Sequence, residues 1–237
     1  MDSFALWILK VMKPARKVVT RSPHREVGFV AGAGLGKADV EHESHLEKSF
    51  VVLSIVSGFV QGLESQPFKI KWTDPSGSDH LYTPDYRVTL ADGNQLVVEI
   101  KPARFIEQHR SLFDDVTRQL RRAGLPFFVL TDKHFSRKEA EEAQLWRRYR
   151  HSHLPNDQVE TALELVQGGI TLAEMRLTAV PMYVWYGLLG RGAIGLTRLA
   201  EISDPSTRLL TSKELSEHDD HLRFTGWFGC SPWKSHA

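Results

Sequence analysis

The sequence predicts an α/β fold in which a mixed sheet is flanked by helices, and three neighbouring segments support this prediction. Residues 86–100 alternate apolar and polar side chains about an Asp92-Gly93 turn, which is typical of a β-hairpin. Residues 107–124 repeat apolar side chains at helical spacing, and residues 127–130 form a short apolar run of strand type. Hairpin, helix and strand in this order predict a crossover unit within one sheet.

A helix of about four turns is predicted to precede the strands, at residues 43–56. Leu46 and Phe50 belong to its apolar stripe, and Glu47 lies at the edge of that stripe. A carboxylate in this position is either a surface acid or a ligand, and this helix alone favours the surface acid. Residues 67–72 are predicted to form a connecting strand before the hairpin.

The order of helix, three strands, helix and strand predicts a first domain at residues 1–132. A charged linker helix is predicted at 133–157 and a second, helical domain at 158–237, with no element assigned after residue 209. The apolar segment 180–190 takes the place of the second helix of a winged helix-turn-helix, but it holds no basic residue. A core or protein-contact role is therefore favoured over reading of the DNA major groove.

Two acids and a lysine are predicted to meet at one end of the hairpin. Period-two alternation puts Glu99 and Lys101 on one face of the second strand, and pairing about the turn brings Asp85 level with them. Hard divalent cations take oxygen ligands and commonly bind through one or two carboxylates together with substrate phosphates. The corner therefore predicts a metal-dependent phosphodiesterase. The alternative is solvated strand surface, because Pro-Asp and Asp-Gly are also common turn residues.

The composition is that of a folded globular protein, with 237 residues of which 41% are hydrophobic and 25% charged. The net charge of +1 excludes global basicity, so any surface for nucleic acid must be local. We predict it at a basic N-terminal arm, about residues 10–25, which includes Arg16, Lys17, Arg21 and Arg25. Such an arm can follow phosphates without reading sequence. The alternative is an ordinary solvated charged segment.

Other chemistries and locations are disfavoured by the sequence. The glycine-rich residues 31–38 lack both the first glycine and the Ser or Thr of a phosphate loop. The histidine pairs lack the spacing of zinc sites, and no Gly-x-Ser-x-Gly element is present. The single cysteine, Cys230, fits a reducing compartment, and no stretch approaches transmembrane length. We therefore expect a cytoplasmic protein that makes no membrane contact.

Five blocks of the sequence are similar, in order, to those of the TnsA-like endonuclease subunits of heteromeric transposases. The blocks are residues 14–25, 43–50, 64–70, 83–86 and 98–102. The similarity covers roughly the first 130 residues, and one departure is Tyr82, which stands where the family often has a histidine. The resemblance implies the restriction-endonuclease-like fold of the PD-(D/E)xK superfamily, with a mixed sheet flanked by helices and a winged-helix-like domain after it.

The resemblance also implies an active site made of Glu47, Asp85, Glu99 and Lys101. Mg²⁺, or Mn²⁺ in its place, would be held by Glu47, Asp85, Glu99 and the backbone carbonyl of Ile100. Lys101 is expected to position or deprotonate the attacking water and to shield the charge of the phosphate. Some family members have glutamine where this chain has Glu99.

The biological task implied by the resemblance is DNA cleavage at the 5′ ends of a transposable element during cut-and-paste transposition. A separate DDE-type transposase subunit would cut and join the 3′ ends, and an AAA+ ATPase would regulate both. Two alternatives stay open. A non-cutting adaptor would use the same fold to bridge DNA and transposase proteins, and a restriction or repair endonuclease would act alone.

Overall fold

The structure is a computed structural model that describes residues 28–30 and 39–235. Contacts divide the chain into two compact units. Of the described residues, the first unit takes those up to Lys48, those from Gln61 to His134 and those from Cys230 onward. The second unit takes Ser49–Val60 and Phe135–Gly229. Each unit is thus assembled from separated segments, whereas the sequence analysis predicts consecutive domains.

Ten strands lie in the described part of the chain. They are β1 Gly28–Val30, β2 Val40–His42, β3 Val60–Ser65, β4 Ile70–Thr73, β5 Asp79–Tyr82, β6 Tyr86–Leu90, β7 Gln95–Ile100, β8 Phe127–Leu130, β9 Ile194–Gly195 and β10 Leu210–Thr211. The α-helices described are α1 His45–Val56, α2 Arg110–Arg122, α3 Arg137–Tyr149, α4 Asn156–Gln167, α5 Leu172–Met175, α6 Met182–Arg191, α7 Ser212–Ser216 and α8 Asp220–Phe228. Within residues 28–30 and 39–235, none of the helices has both the length and the apolarity needed to cross a bilayer.

The first unit contains a four-stranded mixed sheet with the strand order β3-β6-β7-β8. Strands β6 and β7 are antiparallel, and β7 and β8 are parallel. The parallel pair requires a crossover connection, which α2 supplies. Helix α2 packs on the sheet through Phe113, Val116 and Leu120, which are fully buried together with Val97 and Phe127. Burial of such side chains stabilises the fold by about 1.5–3 kcal/mol each.

The predicted hairpin at residues 86–100 is confirmed. Strands β6 and β7 pair with Tyr86 opposite Val98, and the turn ends with a hydrogen bond from the Leu90 N–H to the Asn94 carbonyl. Gly93 adopts a φ of 86°, a left-handed conformation that glycine takes without steric cost. The alternation of the strands and the turn chemistry were therefore sufficient to predict this element.

A strand overlaps the connecting segment predicted at residues 67–72, but it does not belong to the main sheet. Strand β4 pairs instead with β5 in a separate two-stranded sheet, and β3 is the strand beside β6. Strand β3 contains Gly62, where an added Cβ would lie 3.1 Å from the Thr89 Cβ. The close approach explains the glycine, and a glycine within a strand weakens the pattern by which strands are predicted.

The C-terminal segment, which belongs to the first unit, packs on the rest of that unit through Trp233. Its backbone N–H donates to the Phe127 carbonyl at 2.7 Å, and its indole N–H donates to Asp114 Oδ1 at 2.7 Å. The indole also stands edge-on to the Phe113 ring, with ring centroids 5.4 Å apart. Trp233 therefore satisfies a carbonyl of the edge strand β8 and covers the junction of α2 with the sheet.

The second unit is mainly helical, with the antiparallel pair β9 and β10 as its two-stranded sheet. Helix α3, predicted as a linker, begins at a capping box of Ser136 and Glu139 and buries Trp146 within this unit. Helix α6 is largely buried, with Trp185 fully inaccessible to solvent, in agreement with its predicted core role. The winged-helix arrangement itself is not established by these elements.

Helix α8 was not predicted, because its apolar residues show no clear period. Its Phe228 joins an aromatic cluster, with ring centroids 5.3 Å from Phe50, 6.0 Å from Phe135 and 5.0 Å from Phe224. Asp219 caps the helix by accepting hydrogen bonds from the His221 and Leu222 N–H groups. Packing against segments far away in sequence, rather than amphipathicity, accounts for this helix.

Helices α3 and α6 approach closely at Gly190, and replacement of this glycine by alanine is expected to destabilise the protein. An added Cβ would lie 2.3 Å from the Trp146 carbonyl oxygen, a contact that the backbone can relieve only by moving apart. We expect a loss of about 1–3 kcal/mol, or about 2–12 °C in the melting temperature. The control is Gly226→Ala in α8, where the nearest atom, the Thr197 carbonyl oxygen, is 3.6 Å away. Equal melting temperatures of the two variants would contradict the close approach.

Candidate active site

The hairpin brings three of the predicted site residues together. Asp85 directly precedes β6, Glu99 is the fifth residue of β7, and Lys101 directly follows β7. Asp85 Oδ2 accepts a hydrogen bond from the Ile100 N–H at 2.8 Å, and Lys101 Nζ lies 2.9 Å from Glu99 Oε1. The predicted meeting of these side chains at one corner is confirmed as geometry.

Both carboxylate oxygens of Glu99 contact a neighbouring side chain. Its side chain is 3% exposed, and the Tyr82 hydroxyl donates to Oε2 at 2.5 Å while Lys101 contacts Oε1. The Lys101 N–H continues the sheet ladder by donating to the Leu130 carbonyl at 2.9 Å. The orientation of Glu99 is therefore fixed by β5 and by β7. In the sequence Tyr82 is only a departure from the family pattern, and no local pattern predicts this contact.

Asp85 lies in an environment that opposes its negative charge. Burial raises the pKa of this carboxyl well above its usual range, and the charges of Glu99 and Glu47 raise it further. The hydrogen bond from Ile100 and the charge of Lys101 act in the opposite direction but do not compensate. Burial and the two neighbouring carboxylates thus outweigh the groups that favour the ionised form of Asp85.

Lys101 is held in its charged form. Burial favours the neutral amine, but the charge and hydrogen bond of Glu99, followed by the charges of Asp85 and Glu47, outweigh burial and raise the pKa of the ammonium. A protonated lysine can shield negative charge and donate hydrogen bonds, but it cannot accept a proton from water. In the protein without a bound cation, Lys101 is therefore suited to positioning and shielding.

Glu47 has a structural role that the sequence analysis missed. The Glu47 N–H donates to Ser44 Oγ at 3.1 Å, and the Ser44 hydroxyl donates back to Glu47 Oε1 at 2.8 Å. Glu47 Oε2 accepts from the Glu43 N–H at 2.7 Å, so both carboxylate oxygens cap the start of α1. The signal in the sequence was the Ser-x-x-Glu spacing of a capping box. Burial, outweighing these hydrogen bonds, raises the pKa of Glu47.

A cleft of about 330 Å³ opens beside the corner. Besides Asp85, Glu99 and Lys101 it is lined by Gln66 and by Glu43, and Glu43 rather than Glu47 is the lining acid next to α1. Gln66 Nε2 donates to Glu43 Oε1 at 3.3 Å. Lys69 and His109 add basic groups to the wall. A cleft lined by both acidic and basic groups suits a cation together with a phosphodiester.

Within the described residues, no group of three or more His, Cys, Asp or Glu side chains is arranged to hold a metal ion. The oxygens of Glu47 are engaged by its cap, and those of Glu99 by Tyr82 and Lys101. The donor chemistry nevertheless fits a hard divalent cation, since it consists of oxygens and since burial, together with the charges of Glu99 and Glu47, raises the pKa of Asp85. Asp85, Glu99 and the Ile100 carbonyl are the groups that would hold it.

The predicted DNA-binding side chains belong to the N-terminal arm. Arg16, Lys17, Arg21 and Arg25 lie outside the described residues, and their role stays a prediction.

A mixed sheet flanked by helices, with an aspartate before one strand and Glu-x-Lys at the end of the next, fits the restriction-endonuclease-like class of nucleases. Residues 59–147 match the family described as TnsA-like endonuclease N terminal, and this part of the chain is similar to that domain. The match indicates a nuclease related to transposition. It includes Asp85, Glu99 and Lys101 but begins after Glu47. No curated protein matches the chain.

Metal-free protein is expected to lose stability as the pH rises. The pKa values of Asp85 and Glu47 are raised above their ordinary values of 3.8 and 4.5, so the folded state binds more protons than the unfolded state. This contribution to the free energy of unfolding is fully present at pH values below the ordinary pKa values. It is lost as the pH rises through the raised pKa values of the folded protein. In EDTA, the urea midpoint should therefore be higher at about pH 5 than at about pH 7.5.

The control for this pH dependence is Asp85→Asn, which cannot titrate at that position. Its urea midpoint should change less between the two pH values than that of the wild type. The same change in both proteins would assign the pH dependence to other groups.

Proposed function

We propose that this protein is a magnesium-dependent DNA endonuclease that cuts at the 5′ ends of a transposable element during cut-and-paste transposition. Its proposed partners are a DDE-type transposase subunit and an AAA+ ATPase. The observation that supports the proposal is the convergence of Asp85, Glu99 and Lys101 at one corner of a TnsA-like endonuclease domain. Mn²⁺ is expected to substitute for Mg²⁺.

In this mechanism each side chain has a separate task. Lewis-acid stabilisation of the phosphate and activation of a water are the chemistry that a divalent cation would supply in this cleft. Asp85, Glu99 and the Ile100 carbonyl offer the oxygen ligands. Tyr82 keeps Glu99 in one orientation through its hydrogen bond to Oε2. The protonated Lys101 shields the negative charge that develops on the phosphate.

Glu47 remains part of the proposed site as an acid whose charge reaches Asp85 and Glu99. Its use as a direct ligand requires it to exchange its hydrogen bonds with Ser44 and Glu43 for the cation. Such an exchange would couple cation binding to the first turn of α1.

The remaining parts of the chain are proposed to bind the larger partners. We assign phosphate contacts to the N-terminal arm with Arg16, Lys17, Arg21 and Arg25. We assign protein contacts to the second unit as a winged-helix-like domain, because α6 buries its side chains and has no basic residue before Arg191. This assignment predicts that loss of the arm weakens DNA binding at all sequences alike.

The proposed function is tested by mapping the DNA ends that the full chain produces. Element-end DNA is incubated with the chain, its partner subunits and Mg²⁺, and EDTA serves as the control. We expect cuts at the 5′ ends that depend on Mg²⁺ or Mn²⁺ and on the partners. Cutting of random DNA by the chain alone would favour a stand-alone nuclease, and DNA binding without any cutting would favour an adaptor.

A further inference from the structure

Gln66 stands out in the candidate active site because of its backbone. Its φ is 46°, and it is the one non-glycine residue with a positive φ among residues 28–30 and 39–235. Proline follows it in the sequence, and a residue before proline normally adopts an extended conformation with φ near about −120°. A non-glycine residue in the left-handed region costs about 1–3 kcal/mol, so the surrounding structure must hold it there.

Two hydrogen bonds hold Gln66 in this backbone conformation. Its backbone N–H donates to the Asp85 carbonyl at 2.7 Å, and its side-chain Nε2 donates to Glu43 Oε1 at 3.3 Å. The residue is thereby joined to the segment that carries Asp85 and to the acid that lines the cleft beside α1. The strained conformation places the Gln66 side chain in the wall of the same cleft.

The amide oxygen of Gln66 receives no hydrogen bond from any group in residues 28–30 and 39–235. Oε1 is buried, and within the described residues it has no partner. A buried acceptor without a donor costs about 1–3 kcal/mol. Two unfavourable features therefore coincide at one residue in the wall of the cleft, and both are explained if the oxygen receives its partner only when the cleft is filled.

We propose that the Gln66 amide oxygen is a neutral ligand of the divalent cation in this cleft, bound to the ion or to one of its waters. The inference rests on the proposed function. Asp85, Glu99 and Glu43 already bring acidic groups to the cleft, and Asp85 is repelled by its neighbours. An amide oxygen completes the coordination of a hard cation without adding a further negative charge.

The test removes the amide while keeping the backbone conformation. Gln66→Gly adopts the positive φ without steric cost, so its melting temperature in EDTA should equal or exceed that of the wild type. Calorimetry with Mn²⁺ alone should show binding weakened roughly tenfold, which is about 1.4 kcal/mol. The rise in melting temperature on addition of Mg²⁺ should shrink accordingly.

Two further variants separate the ligand role from a structural one. Gln66→Asn keeps an amide oxygen, and asparagine tolerates the left-handed region, so its Mn²⁺ affinity should lie between those of the wild type and Gln66→Gly. Gln61→Ala removes the same side chain from an exposed position of β3 and should leave Mn²⁺ binding unchanged.

The outcomes distinguish this inference from the function on which it rests. Absence of Mn²⁺ binding by the wild type would overturn the cation site and the role of Gln66 with it. Binding by the wild type and equally strong binding by Gln66→Gly would overturn only the role of Gln66. A Gln66→Gly variant that melts well below the wild type in EDTA, with unchanged Mn²⁺ affinity, would make Gln66 a structural residue.

Discussion

Replacement of Asp85 by asparagine is expected to reduce DNA cleavage by roughly 10³-fold, equivalent to about 4 kcal/mol of transition-state stabilisation. Asparagine can still accept the hydrogen bond from the Ile100 N–H, so the geometry of the corner is retained. The substitution removes the charge that would attract the cation. Single-turnover cleavage of element-end DNA in Mg²⁺ is the measurement.

The same variant should be more stable than the wild type in the absence of metal. Asp85 is buried beside Glu99 and within reach of the charge of Glu47, and the neutral amide removes this repulsion. We expect a gain of about 1–2 kcal/mol, or about 2–8 °C in the melting temperature in EDTA. Opposite effects on stability and activity at one position are the signature of a functional site.

The matched control is Asp92→Asn, at the exposed turn of the same hairpin, which should change neither quantity. Cleavage by Asp85→Asn at the wild-type rate would remove Asp85 from the active site. A melting temperature in EDTA at or below that of the wild type would contradict the electrostatic account of the corner.

Replacement of Lys101 by methionine is expected to lower cleavage by roughly 10²–10³-fold, the loss seen when one group that stabilises transition-state charge is removed. Methionine keeps much of the apolar stem but lacks the ammonium that contacts Glu99 Oε1. It also leaves the buried Glu99 carboxylate without its cation, so a lower melting temperature in EDTA is expected as well.

Lys101→Arg separates charge shielding from proton transfer. Arginine preserves the positive charge but cannot act as a base near neutral pH. Because the pKa of Lys101 is raised, we expect Lys101→Arg to recover part of the activity that Lys101→Met loses. The general-base role would be supported if both variants were equally inactive and if the cleavage rate of the wild type rose with pH as a lysine lost its proton.

Much of the first unit could be predicted because its signals are local. The alternation of residues 86–100 and the Asp92-Gly93 turn specify a hairpin, and the register of a hairpin follows from its turn. The meeting of Asp85, Glu99 and Lys101 is a direct result of that register. By contrast, Gly62 weakens the strand pattern of β3, and no local pattern predicts that β4 pairs with β5 rather than with the main sheet.

The functional residues that the sequence did not predict depend on contacts between distant segments. Tyr82 is the last residue of β5, and its hydroxyl donates a hydrogen bond to Glu99. Gln66 donates one hydrogen bond to the Asp85 carbonyl and another to the Glu43 side chain. Glu47 is an instructive case, since the family resemblance predicts a ligand whereas the structure shows a helix cap. Its Ser-x-x-Glu signal was present in the sequence.

The sequence by itself determined the hairpin, the helix that crosses from β7 to β8 and the clustering of two acids with a lysine. Only the tertiary structure decided that the pKa values of Asp85 and Lys101 are raised, that Gln66 is strained and that its amide oxygen has no partner in the described part of the chain. The physical reason is that periodicity and turns act between near neighbours in the chain. Burial and electrostatic repulsion are sums over every segment that folding brings to the cleft.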